Sequence, residues 1–117
     1  MPLDPLSQLT EKLTAFRDDR DWKQFHNPKD LAIALSIEAA ELQEIFLWKK
    51  PEEVSGTVSK KRVQIEEEVA DIASYLLLLC HEMGIDLNKA VSSKIEKNAA
   101  KYPVEKAKGT HAKYDEL

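Results

Sequence analysis

Two pairs of carboxylates stand where helical spacing asks for apolar side chains. Glu38 and Glu41 interrupt the stripe Leu31, Ala34, Leu35, Leu42, Ile45 and Trp48. Asp71 sits inside the apolar run from Val69 to Cys80, and Glu68 lies one turn earlier. Each pair is spaced i, i+3, so its members lie side by side, about 5–6 Å apart at Cβ. Two such helices packed together gather four carboxylates in one patch. At an effective dielectric near 20, like charges ~4 Å apart cost roughly 4 kcal/mol per pair, and burial adds to that. Protonation or lysine partners could neutralise them. Hard oxygen ligands at this density most naturally hold Mg²⁺ or Mn²⁺. Glu52, Glu53, Glu66 and Glu67, by contrast, read as ordinary solvated helix faces. A diiron bundle would require Glu-x-x-His on two helices. The residues three before His26, His81 and His111 are Lys23, Leu78 and Lys108, which excludes it.

A cation held by four carboxylates and no histidine suits phosphate chemistry, because it can bridge phosphate oxygens and acidify a bound water. A nucleotide would also need cationic groups and flat surfaces. Lys94, Asn98 and Lys101 share one helix face, with Tyr102 following. Taken alone they are a solvated face. Trp22, Phe25, His26 and Trp48 could stack a base, although an aromatic stripe is more often core. Tyr75, one turn beyond Asp71, could orient a carboxylate or merely pack. No glycine-rich phosphate loop of either common pattern occurs, so metal and side chains would have to hold the nucleotide.

The elements that position these residues follow from helical periodicity. Asp4-Pro5 reads as N-cap and first-turn proline, opening a helix to about Arg20. Residues Asp21 to His26 form an aromatic connector. Asn27-Pro28 opens a second helix, expected to last until Lys50 because Pro51 stops it. Pro51 to Ser59 is expected as a loop with room for one helical turn. A third helix runs from about Lys60 to Met83 and ends at Gly84. Asp86 caps a fourth, Leu87 to about Lys101, ended by Pro103. The spacing therefore predicts an all-α chain, a four-helix bundle completed by homo-oligomerisation. Residues 1–104 form its domain and 105–117 a polar, flexible tail.

Composition bounds the rest. The chain has 117 residues, a net charge of −4 and 43% hydrophobic residues. That is one domain with a real core, and its sign disfavours nucleic acid. The lone cysteine, Cys80, lies in an apolar run and reads as packing. Met1 to Arg20 lacks a secretory pattern, and no run is long enough to span a bilayer. A cytoplasmic setting is expected.

The strings Arg20-Asp-Trp-Lys-Gln-Phe-His26, Glu38-Ala-Ala-Glu41-Leu, Phe46-Leu-Trp-Lys49, Glu68-Val-Ala-Asp71-Ile and Lys94-x-x-x-Asn-x-x-Lys-Tyr-Pro103 together resemble the MazG-like all-α nucleotide pyrophosphohydrolases. Within them they look like the deoxycytidine triphosphate pyrophosphatase branch. The resemblance spans roughly residues 10 to 105. It implies Mg²⁺-dependent hydrolysis of a nucleoside triphosphate to monophosphate and pyrophosphate, in nucleotide-pool house-cleaning with a dCTP-like preference. It makes Glu38, Glu41, Glu68 and Asp71 the metal ligands and catalytic set, with one of them or Glu67 activating water. It places Lys94, Asn98 and Tyr102 at the phosphates, with Lys101 beside them, and Trp22, His26 and Trp48 at the base. It also implies a homodimer, often paired into a tetramer. The competing reading is a non-catalytic helical oligomerisation or adaptor module, for which the apolar third helix would serve only as an interface.

Overall fold

Three of the four expected helix starts are built as their local chemistry dictates. In the computed structural model, which describes residues 3–117, Asp4 accepts a 3.0 Å bond from the Ser7 N–H and opens α1, Pro5–Asp19. Asn27 accepts from the Asp30 N–H at 2.9 Å and opens α2, Pro28–Phe46. Asp86 does the same for α5, Leu87–Lys101, through the Lys89 N–H. Each cap satisfies one of the N–H groups that a helix start leaves unpaired. Met1 and Pro2, where the expected domain begins, lie outside the described residues. Among those described there is no strand, so the all-α class holds.

Two boundaries differ from expectation. The second helix stops at Phe46 rather than Lys50. Leu47 turns out to φ −59°, ψ 132°, Trp48 takes φ +66°, and the Lys49 N–H bonds the Phe46 carbonyl at 3.1 Å. This is a reverse turn of the type II kind, in which glycine normally holds the position of Trp48. Pro51 constrains only its predecessor, and the chain had already reversed. Beyond it, residues expected as a loop form a 3₁₀ turn, Pro51–Glu53, and a two-turn helix, α3, Val54–Lys60. Lys61 breaks the path at φ −106°, ψ 20°, and α4, Arg62–Met83, follows. Gly84 ends α4 at φ +64°, donating its N–H to the carbonyls of the last turn, a conformation that glycine adopts without a Cβ penalty.

The chain divides into two compact units, one ending at Gly84 and one spanning Ile85–Leu117. In the first, α2 lies along α4. The seam is apolar where the sequence stripe predicts it: Leu31 is 1% exposed, and Ile45, Leu77, Leu78 and Cys80 are buried. Fully burying a leucine contributes ~1.5–3 kcal/mol. Burial also pushes the Cys80 thiol up, which leaves it protonated and inert. α1 is tied to the far end of α4 by Arg17, 3% exposed, whose guanidinium meets Glu82 at 2.7 Å and Asp18 at 2.9 Å. The second unit holds α5, a single turn α6 (Val104–Ala107) and a 3₁₀ turn at Tyr114–Glu116. No described helix is long and apolar enough to cross a membrane.

Candidate active site

The middle of the α2–α4 seam is where apolar packing stops. Glu38 on α2 takes the inward position between Leu35 and Leu42, and Glu68 on α4 lies between Ile65 and Ile72; both are half-buried. Glu41, one turn on, is exposed at the seam's edge. A carboxylate oxygen from each of Glu38, Glu41 and Glu68 lies within 4.8 Å of the others. Asp71 is exposed and outside that tight trio, but close enough for its charge to act on Glu38 and Glu68.

The electrostatics record the crowding. Glu38 is pushed up to about 7, first by burial, then by carboxyl contacts with Glu41 and Glu68 and by the charges of Glu41 and Asp71. Glu68 is raised too, chiefly by burial, while its contact with Glu38 pulls the other way. Glu38 Oε2 and Glu68 Oε2 are buried with no hydrogen-bond partner among the described residues. Buried oxygens without donors are costly. An all-oxygen donor set with two such oxygens fits a hard divalent cation better than any group this chain supplies.

A cavity of 360 Å³ opens on the Glu38 and Asp71 side of the cluster, walled by Phe16, Trp22, His26 and Tyr75. Trp22 is fixed by its backbone, whose N–H donates to the Arg17 carbonyl at 3.1 Å, and by an edge-on contact with Phe16 at 5.8 Å. His26 contributes a buried Nδ1 with no partner among the described residues. One aromatic face, one unpartnered ring nitrogen and adjacent carboxylates make a pocket suited to a flat polar ring carrying an anionic tail.

Other expected residues fall elsewhere. Trp48 is 90% exposed, beyond the end of α2 and not in this wall, because the turn after Phe46 takes it off the carboxylate stripe. Glu67 is exposed on α4 beside Glu68. Lys94, Asn98 and Lys101 lie exposed along α5, and Tyr102 ends it with its ring edge-on to Tyr114 at 6.1 Å. These four belong to the second unit. Phe16 and Ser74 line the pocket without having been singled out. On a helix face Phe16 is indistinguishable from core, and only the bend at Asp21, φ +57°, swings Trp22 onto it.

The chain is 36% identical to dCTP pyrophosphatase 1 of Rattus norvegicus over 99% of its own length and 69% of that protein. It is 40% identical to the Bos taurus protein of the same name over 87% of this chain and 62% of that one. The crystal structure of a pyrophosphatase from Archaeoglobus fulgidus DSM 4304 superposes with a TM-score of 0.83 at 41% identity, covering 88% of this chain and 96% of that one. Residues 33–117 match the MazG-like family, and with the relatives above that match shows that the chain belongs to it.

Proposed function

We propose that this chain hydrolyses (deoxy)nucleoside triphosphates to the monophosphate and inorganic pyrophosphate, with a dCTP-like preference, and so cleanses the nucleotide pool. The observation that carries the proposal is the carboxylate cluster with its two buried, unpartnered oxygens, opening on an aromatic pocket. Glu38, Glu41, Glu68 and Asp71 would hold Mg²⁺, and Mn²⁺ suits the same oxygens. When bound, the ion supplies positive charge to phosphate oxygens and lowers the pKa of water. The chain's own residues do the rest. One of the four carboxylates, or Glu67, takes a proton from the attacking water. The water oxygen bonds to the α-phosphorus, the bond from that phosphorus to the bridging oxygen breaks, and pyrophosphate leaves with the electron pair. Trp22 and His26 hold the base. The family resemblance implies phosphate contacts for Lys94, Asn98 and Tyr102, with Lys101 beside them, and Tyr75 would orient Asp71. Trp48 lies outside the pocket, so its place in the base wall depends on assembly.

Assembly as a homodimer, or a tetramer of two dimers, is part of the proposal. Ile33 and Ile37 on α2 and Val69 on α4 are each half-exposed or more in the single chain. A helix apolar on both sides needs cover on both sides. Light scattering at micromolar concentration should give at least twice the chain mass of 13.3 kDa; a monomer would contradict it.

The activity is tested by measuring pyrophosphate release from the common and modified triphosphates. Release from dCTP or a close analogue is expected, and none from any triphosphate would overturn the proposal. An adaptor would show no thermal shift with Mg²⁺ and nucleotide. An enzyme with ligand at 100 times its Kd gains ~2.7 kcal/mol.

A further inference from the structure

A second cavity, of 510 Å³, also borders the carboxylates and shares no lining residue with the aromatic one. Its wall includes Glu41 and Glu68 but neither Glu38 nor Asp71, which border the aromatic pocket instead. The cluster therefore stands between two cavities of different chemistry. The aromatic one offers flat rings. The second offers Lys49, Lys61 and Gln64, with Glu44 at its edge.

Both lysines are placed by the two breaks in the chain path. Lys49 closes the turn after α2, its N–H bonded to the Phe46 carbonyl. Lys61 is the single residue between α3 and α4. Both are exposed, and neither forms an ion pair among the described residues, although three glutamates share the cavity with them. Two such lysines and a side-chain amide, lining one cavity with two of the clustered glutamates, describe an acceptor-rich anion's site. Lysine binds phosphate as a point charge and needs no planar geometry to do so.

A nucleoside triphosphate is polar along its length, with a ring at one end and the terminal phosphates at the other. The two cavities repeat that polarity, with the carboxylates at the junction. We infer that the β- and γ-phosphates, and then the pyrophosphate product, occupy the cavity of Lys49, Lys61 and Gln64. This rests on the function proposed above and gives the substrate a direction: base toward Trp22, terminal phosphates toward Lys61. The cavity wall carries more glutamates than lysines, so a polyanion is repelled until a divalent cation offsets Glu41 and Glu68. Pyrophosphate binding must then depend on the cation, whereas the aromatic pocket carries no such requirement for the base itself.

Titration calorimetry on the full chain tests this, using inorganic pyrophosphate and, separately, the nucleoside monophosphate product, each with and without Mg²⁺. Lys49→Gln and Lys61→Gln should each weaken pyrophosphate binding about tenfold, the scale of one charge-assisted hydrogen bond, and leave monophosphate affinity unchanged. Trp22→Ala should do the reverse. Both lysines are exposed, and melting curves on the variants should match the wild type. Lysine variants that bind pyrophosphate as the wild type does would overturn the inference. So would equal losses for both ligands, or an active wild type that binds no pyrophosphate with Mg²⁺ present. If the wild type neither hydrolyses triphosphates nor binds the monophosphate, the proposed function fails instead, which is a distinguishable result.

Discussion

The seam between α2 and α4 has an apolar stretch and a charged one, built on the same two helices at the same spacing. At Leu31 and Ile45 of α2 and Leu77 and Leu78 of α4 the side chains are buried and stabilise the fold. At Glu38 and Glu68 the same inward positions hold carboxyls, two of whose oxygens have no partner among the described residues. The first stretch lowers the energy of the folded chain. The second raises it: burial and neighbouring carboxylates push the pKa of Glu38 and Glu68 up, so the metal-free fold disfavours keeping both charged. These apolar residues are thus about two helical turns or more from Glu38 and Glu68 on the same two helices, and substitutions in the two stretches should have opposite signatures.

The largest effect should come from the charged stretch. Glu41→Gln keeps the shape and removes the charge of one proposed ligand at an exposed position, so the fold should survive. Changes to groups behind a metal ligand already cost 10–100-fold, so kcat should fall by more than ~100-fold. Full activity in that variant would remove Glu41 from the site. Leu31→Ala probes the apolar stretch and should cost ~2–5 kcal/mol in denaturant unfolding, while folded protein keeps its KM. A change in KM without loss of stability would erase the distinction between the stretches.

Smaller effects sharpen it. Trp22→Ala removes one wall of the aromatic pocket without touching the seam. It should raise KM with kcat little changed, by ~1–3 kcal/mol on the scale of base stacking on aromatics. An unchanged KM for every triphosphate would mean that Trp22 only packs against Phe16. The smallest effect is a gain. Glu38→Gln replaces the most crowded carboxyl by a neutral isostere, and the metal-free protein should melt a few degrees higher, roughly what 1 kcal/mol gives a domain of this size. Mg²⁺ should raise the Tm of the wild type and not of this variant. A lower Tm without metal would show that Glu38 is not under the strain described.

Much of this was legible in the sequence because it is local. Asp4-Pro5, Asn27-Pro28 and Asp86 carry cap chemistry within four residues, and Gly84 marks the end of α4 by its own conformational freedom. The carboxylate pairs stood out because i, i+3 spacing on an apolar stripe needs no tertiary information. What escaped depended on chain reversals without a sequence signal. Phe46-Leu-Trp-Lys49 holds no glycine or asparagine, yet Trp48 takes φ +66°, at a cost of ~1–2 kcal/mol for a residue with a Cβ. That one turn moves Trp48 off the stripe and Lys49 toward Lys61. The lysine cavity was illegible for the same reason: it exists only where two breaks in the path converge. Residues 94–102 keep the helical spacing read from the sequence, because α5 carries its own cap at Asp86.

The proposed reaction is cleavage between the α- and β-phosphates at a metal-loaded carboxylate cluster. ³¹P NMR of the protein mixed with dCTP tests it in one sample. With Mg²⁺ present, nucleoside monophosphate and inorganic pyrophosphate should accumulate in equal amounts; EDTA should abolish this and excess Mg²⁺ or Mn²⁺ restore it. Nucleoside diphosphate with orthophosphate, or turnover that persists in EDTA, would contradict it.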